Sequence, residues 1–281
     1  NAKIIWTDND PPFMYLPKDN FFADVLSRTY NSWKDMRSRR HFRAIDLALV
    51  LDSYNKNWCE ERGIKAIITR LGVDPKFYLS VKDLREKFAK KKVRIFSLGS
   101  LNKYRRYEDM ILAVKHLRGL GYNASAMIIA SDMWDERIYR KKIQGLMREN
   151  SLENHIDLRL DGVSEEKLRS AYENTDIFVY TMYVPPPRNG FGFSIGVFEA
   201  MAAGLPVVLC RTTTSTEVLS DGKNALFVDP MSPKQITEKV KLLVDDPALY
   251  TKIASAGQKL VKEELTWDNY AKKFIAAVSS V

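Results

Sequence analysis

A chain of 281 residues is long enough for two domains of ordinary size, each with its own core. Hydrophobic residues at 45% and charged residues at 28% mark a globular protein, and no run approaches the roughly 20 apolar residues of a membrane span. The formal charge of +9 is concentrated in the first third, where residues 1–92 carry 19 Lys and Arg against 12 Asp and Glu, a balance of +7 that leaves +2 for the rest.

Residues 1–80 read as part of an α/β domain. Three strand-like runs, 3–6, 47–51 and 66–68, are separated by segments with helical apolar spacing. Three strands are few for an open sheet covered on both faces, whose mean is about five to six. The expectation is therefore a domain short of one βαβαβ unit, on the order of 80–100 residues. Asn1 is not a start-codon product, which points to a fragment or clipped chain, or to a partner polypeptide that supplies the rest. Within this part, 33–43 interleaves Lys34, Arg37, Arg39, Arg40 and Arg43 with Trp33, Met36 and Phe42. That pattern fits a solvated helix face or peripheral contact with anionic lipid; with no recognition motif beside it, nucleic acid is not an expected partner.

Residues 81–92, ending in Lys90-Lys-Lys92, read as a polar helix or linker that marks a domain boundary. From Val93 helix and strand alternate: strand 93–98, helix 106–119, strand 126–129, helix 134–149, strand 155–159. Helix 164–173 follows, with Ser164 as its cap and Glu165 and Glu166 in the first turn. Next come strand 177–180, the Pro185-Pro-Pro187 loop, a helix starting near Ser194, strands 207–209 and 226–228, and helices 233–245 and 247–263. A last segment, 265–281, holds a helix from Trp267. Such alternation implies a doubly wound parallel sheet over 93–264, whose ligands bind beyond the carboxyl ends of its strands.

Three loops meet at that edge: 99–106, 161–164 and the glycine-rich segment 190–199. Gly190, Gly192 and Gly196 allow close backbone approach, and a helix start near Ser194 aims unpaired amides at an anion. Arg105 and Arg106 suit a diphosphate, Glu199 suits the two hydroxyls of a ribose, and Val163 and Lys167 border the base. His41, His116 and His155 lack ligand spacing, and Cys59 and Cys210 lie far apart, so neither a metal site nor a disulfide is expected and the thiols fit a reducing, cytoplasmic setting.

At this point the chain resembles the retaining nucleotide-sugar glycosyltransferases of family 4, whose fold is the two-domain, Rossmann-like GT-B type. The likeness runs through 45–53, Gly72-Val-Asp-Pro-Lys-Phe77, 99–113, 175–179, Glu199-Ala-Met-Ala-Ala-Gly204, 217–230 and Thr266-Trp-Asp268. It implies that Arg105 or Arg106 takes the family's diphosphate-binding lysine role, that Glu199 holds the ribose, and that the Trp-containing last helix crosses back to the first domain. It also implies a UDP-, GDP- or ADP-sugar donor, a glycan or lipid-linked acceptor, and no metal or other cofactor. Four positions depart from the family pattern. Phe191 stands where a second carboxylate is usual, Ser100 replaces the family's arginine, Asn9 or Asp10 stands near its histidine, and 212–216 is Thr-Thr-Thr-Ser-Thr in place of paired glycines.

The donor site so expected comprises Gly99, Ser100, Arg105, Arg106, Val163, Lys167, Phe191, Phe193, Ser194, Ile195, Glu199 and Glu217, with Asn9 or Asp10 on the catalytic side. The activity expected is transfer of a sugar from a nucleoside diphosphate to a hydroxyl with retention of configuration. The rival is a nucleotide- or glycan-binding subunit whose chemistry has decayed; a sugar-nucleotide 2-epimerase of the same fold is a third reading.

Overall fold

The computed structural model describes residues 3–7, 21–132, 136–185 and 193–281, and it divides into two compact units. The first combines Asn1–Gly72, Val184–Phe193 and Leu265–Val281. Among its described residues, β1 (Ile5–Thr7), β2 (Leu47–Val50) and β3 (Ala66–Ile68) form a parallel sheet in the order β1-β2-β3. Helix α1 (Phe21–Phe42) precedes β2 and α2 (Ser53–Glu60) follows it. The Asp52 carboxylate accepts from the Asn55 amide at 2.9 Å and so caps α2.

All four residues of β2 are buried, and they alternate between two covered faces. Ala48 and Val50 pack with Phe42, Cys59, Ile64 and Ala66. Leu47 and Leu49 pack with Ala277 of the last helix. Cover on both faces explains why this strand reads in the sequence as an unbroken apolar run.

The second unit combines Val73–Tyr183 and Ser194–Glu264. Its strands are β4 (Lys92–Ser100), β5 (Asn123–Ser131), β6 (Ile156–Arg159), β7 (Ile177–Tyr180), β8 (Val207–Cys210) and β9 (Leu226–Val228). They are parallel throughout, in the order β6-β5-β4-β7-β8-β9. Its helices are α3 (Arg85–Ala89), α4 (Tyr107–Gly119), α5 (Arg137–Glu149), α6 (Glu165–Glu173), α7 (Ile195–Ala202), α8 (Pro233–Asp245) and α9 (Pro247–Glu264); the last helix of the chain is α10 (Trp267–Val278). Strand order reverses between β4 and β7, and in open sheets of this kind the ligand crevice lies outside the carboxyl ends at that point.

Strands β4 and β5 extend beyond the expected 93–98 and 126–129. They pair continuously from Lys92 with Asn123 to Ser100 with Ser131, so their polar ends join the ladder although apolar runs alone do not mark them. Residues 81–92 differ from a free linker. Phe88 is buried in the core of the second unit, Lys87 pairs with the buried Asp176 at 2.6 Å, and Lys82 donates to the carbonyls of Tyr172 and Thr175. Burial pulls the Lys82 ammonium down to a pKa of about 8.

Gly204, just past α7, has φ +70°, and a Cβ there would lie 3.0 Å from the Val81 backbone. Gly204→Ala combines a left-handed side chain with that collision. It is expected to lower the unfolding free energy by about 1–2 kcal/mol, seen as a reduced urea midpoint; a midpoint equal to that of the parent would contradict this account.

Candidate functional site

The crevice at the β4/β7 switch point is walled first by the loop that leaves β4. Asn102 shapes that loop: its side chain accepts from the amides of Tyr104 and Arg105 and donates to Ser100 Oγ at 2.8 Å. The turn it caps carries Arg105 inward. Only 8% exposed, Arg105 donates to the Leu98 carbonyl and lies 4.4 Å from the centre of the Tyr180 ring. Gly99 is the space that this guanidinium occupies, since a Cβ there would land on it. Arg106 takes a left-handed conformation at φ 50° and turns the other way, pairing with Asp109 at 2.8 Å and Glu108 at 2.9 Å. The two arginines are thus separated rather than paired as one clamp. Arg105 is committed to Leu98 and Tyr180, and Arg106 to the start of α4.

The second wall is the start of α7. Ser194 is its N-cap residue; its amide donates to Ser215 Oγ at 3.1 Å, which ties the helix start to the turn Thr214–Val218 after β8. The amides of Ile195 and Gly196 lie in the first turn, where no preceding carbonyl of the helix can receive them. This end of α7 abuts the end of β4, with Leu98 Cδ2 3.3 Å from where a Gly196 Cβ would be. One turn further on, Glu199 accepts from the Tyr172 hydroxyl at 2.9 Å. Tyr172 is itself fully buried, its ring edge-on to Phe96 and Phe77.

Burial pushes the Glu199 carboxyl above its ordinary pKa, while the Tyr172 hydrogen bond and the Lys76 charge oppose that rise. Lys76 comes from the Gly-Val-Asp-Pro-Lys-Phe segment. It pairs with Asp74 at 3.0 Å and with Glu165 in the first turn of α6. The expected Ser164 cap is present, its hydroxyl accepting from the Lys167 amide at 3.4 Å. The Lys167 side chain is exposed, Val163 just before the Ser164 cap is half-buried, and Glu217 is exposed on the turn after β8. Phe193 groups with the first unit, where the Arg70 guanidinium lies 5.5 Å from its ring. Asn9, Asp10 and Phe191 fall outside the described residues.

The second unit therefore brings together Gly99, Ser100, Ser194, Ile195 and Glu199 around the carboxyl ends of β4, β7 and β8. Two contributors escape sequence reasoning, Asn102 and Tyr172, whereas Ser215 belongs to the hydroxyl run 212–216 that the sequence singles out. Asn102 carried a signal, an Asx residue before a turn. Tyr172 carried none beyond its place on the apolar side of α6. Among the described residues, no group of three or more His, Cys, Asp and Glu side chains gathers as a metal site.

Comparison with known proteins gives this architecture a context. The pattern of the family described as glycosyl transferases group 1 matches residues 81–260. Sucrose synthase of Melioribacter roseus is 26% identical over 200 residues, covering 66% of this chain and 24% of that protein. An uncharacterized glycosyltransferase of Methanocaldococcus jannaschii is 26% identical over 280 residues, 97% of this chain and 67% of that protein. Anabaena HepE, solved with UDP-glucose, shares the fold at a TM-score of 0.75 and 15% identity, over 99% of this chain and 72% of its own. The chain thus spans about a quarter of the sucrose synthase and two thirds of the archaeal relative. The neighbours are GT-B glycosyltransferases, and this chain shares their mixed α/β fold with parallel sheets.

The packing of Arg105 on Gly99 yields a direct test. Gly99→Ala is expected to expel the guanidinium from its buried seat and to cost about 1–3 kcal/mol of unfolding free energy. An unchanged thermal midpoint would show that Arg105 does not occupy that seat.

Proposed function

The chain belongs to the group 1 glycosyl transferases, and from that premise we propose that it moves a sugar from a nucleoside diphosphate to a hydroxyl acceptor with retention of configuration. The observation that carries this reading is Glu199, a half-buried carboxylate held by Tyr172 one turn from the open amides of α7. A ribose offers two hydroxyls to such a carboxylate, and a diphosphate offers charge to such a helix end. The fold neighbour solved with UDP-glucose makes UDP-sugars the first donors to try.

In this mechanism the leaving diphosphate accumulates negative charge as the glycosidic bond breaks. The first-turn amides of α7 stabilise it, and the positive charge of Arg105 acts from beneath Gly99 rather than through a bidentate contact. Arg106 serves by ordering the start of α4. Val163 and Lys167 border the base, and Glu217 flanks the donor. The leaving phosphate accepts the acceptor's proton, and the amides of α7 with the charge of Arg105 do for the leaving group what a metal would otherwise do. The rival, a decayed binding subunit, draws on Phe191 and Ser100, where the family usually has a carboxylate and an arginine.

A lipid-linked acceptor at a membrane surface is part of the proposal, and its support is α1. The helix carries exposed apolar residues along one side: Phe22, Leu26 and Met36 are 76%, 70% and 65% exposed, with Trp33 in line. The opposite side, Ser27, Asn31, Asp35 and Ser38, is half-buried and polar, and Asp35 pairs with Arg62 at 2.8 Å. Arg37 lies over the Trp33 ring and Lys34 over Tyr30, so cations edge the apolar stripe, as an anionic bilayer surface requires. Among the described residues, no helix is long and apolar enough to cross a membrane.

Two experiments test these readings. Glu199→Ala is expected to weaken UDP-sugar binding by about 1–3 kcal/mol, and the parent is expected to hydrolyse or transfer the donor equally well with EDTA present. Binding without turnover in any acceptor pool favours the decayed subunit. For the surface, the protein should sediment with phosphatidylglycerol vesicles and not with phosphatidylcholine alone. Arg37→Gln with Arg40→Gln should cost about 1 kcal/mol per charge; no sedimentation with either vesicle refutes membrane contact.

A further inference from the structure

The assignment of Glu199 to the ribose, on which this inference rests, raises the question of what holds that carboxylate in place. The Tyr172 hydroxyl donates to Glu199 Oε2 at 2.9 Å, with the Gly196 carbonyl a longer second acceptor at 3.3 Å. The Tyr172 ring lies 5.2 Å from Phe96, 5.6 Å from Phe77 and 6.3 Å from Phe178. A phenylalanine would fill that aromatic core equally well. A buried hydroxyl is costly unless it is bonded, so the oxygen serves the carboxylate and not the core.

The charge of Lys76 also acts on this carboxylate. Lys76 is held by Asp74, which caps its turn by accepting from the Lys76 amide at 3.0 Å, and by Glu165 at the start of α6. Tyr172 lies near the end of that same helix. One helix therefore supplies both the hydrogen-bond donor for Glu199 and a carboxylate that holds Lys76.

We propose that Tyr172 is a positioning residue of the donor site, fixing one oxygen of Glu199 so that the other meets the ribose hydroxyls. The charged and titratable groups that act on Glu199 are Tyr172 and Glu165 from α6, and Lys76 and Asp74 from the 74–77 turn. Burial favours its neutral form, as do Asp74 and Glu165, whereas Tyr172 and Lys76 favour the carboxylate.

A carboxylate must be ionised to accept from both ribose hydroxyls. Donor affinity is therefore complete above the Glu199 titration and is lost as pH falls through it. Removing a group that favours the carboxylate moves this acid limb to higher pH, and removing one that opposes it moves the limb lower.

The test is calorimetric titration of the full chain with UDP-glucose, GDP-mannose and ADP-glucose from mildly alkaline to mildly acidic pH. The diphosphate of these sugars does not titrate in that range. Tyr172→Phe is expected to bind about tenfold more weakly and to shift the acid limb upward. Lys76→Met should shift it upward and Glu165→Gln downward, a sign pattern that a purely structural role would not produce. Should Tyr172→Phe fail to fold, the opposed shifts of the other two variants decide the matter. A parent that binds none of the three sugars refutes the ribose assignment itself. A parent that binds, with variants that leave affinity and acid limb unmoved, overturns the positioning role alone.

Discussion

The side chain of Tyr172 runs from the aromatic core of the second unit to its candidate site. Its ring is seated against Phe96 of β4 and Phe77 of the 74–77 turn, and its hydroxyl reaches Glu199 on α7. Because the ring is fully buried, the hydroxyl has little freedom, and the carboxylate inherits that constraint. The same packing sets α6 against the sheet and brings Glu165 to Lys76. A site built this way is rigid before any ligand arrives, and the ordering entropy is met in folding and not in binding.

Around this anchor the charges are divided by depth. Arg105 lies buried below Gly99 with its guanidinium satisfied, whereas Arg106 is drawn to the acidic start of α4, where Glu108 also accepts from Tyr139 and Lys142. What faces the crevice from these two walls is chiefly backbone: the loop at Gly99 and the first turn of α7. Recognition by amides suits a diphosphate, whose charge is spread over several oxygens, and it leaves room at 99 and 196 for close approach.

How much of this the sequence disclosed depends on burial. Ile177–Tyr180, Val207–Cys210 and Leu226–Val228 are covered on both faces, so each is a continuous apolar run and easy to read. The ends of β4 and β5 are polar and exist because the ladder satisfies their backbones, which no apolar pattern records. Ser164 announced itself because capping is local. The contact of Tyr172 with Glu199 is not local, and neither is that of Lys76 with Glu165. The separation of Arg105 from Arg106 follows from one left-handed residue in a turn, a conformation that adjacent arginines do not advertise. The outward apolar stripe of α1 was visible only as a basic run with aromatics, since which side of the helix faces the sheet is decided by packing.

The central claim is that the carboxyl edge of the second unit's sheet, between β4 and β7, is where a nucleotide sugar sits. Hydrogen–deuterium exchange of the full chain with and without UDP-glucose tests it most directly. The account predicts slowed exchange confined to the amides near 99–100 and 194–197, with the end of α6 joining them through Tyr172. Protection that appears instead at the opposite edge, around 92–94 and 123–126, would contradict it.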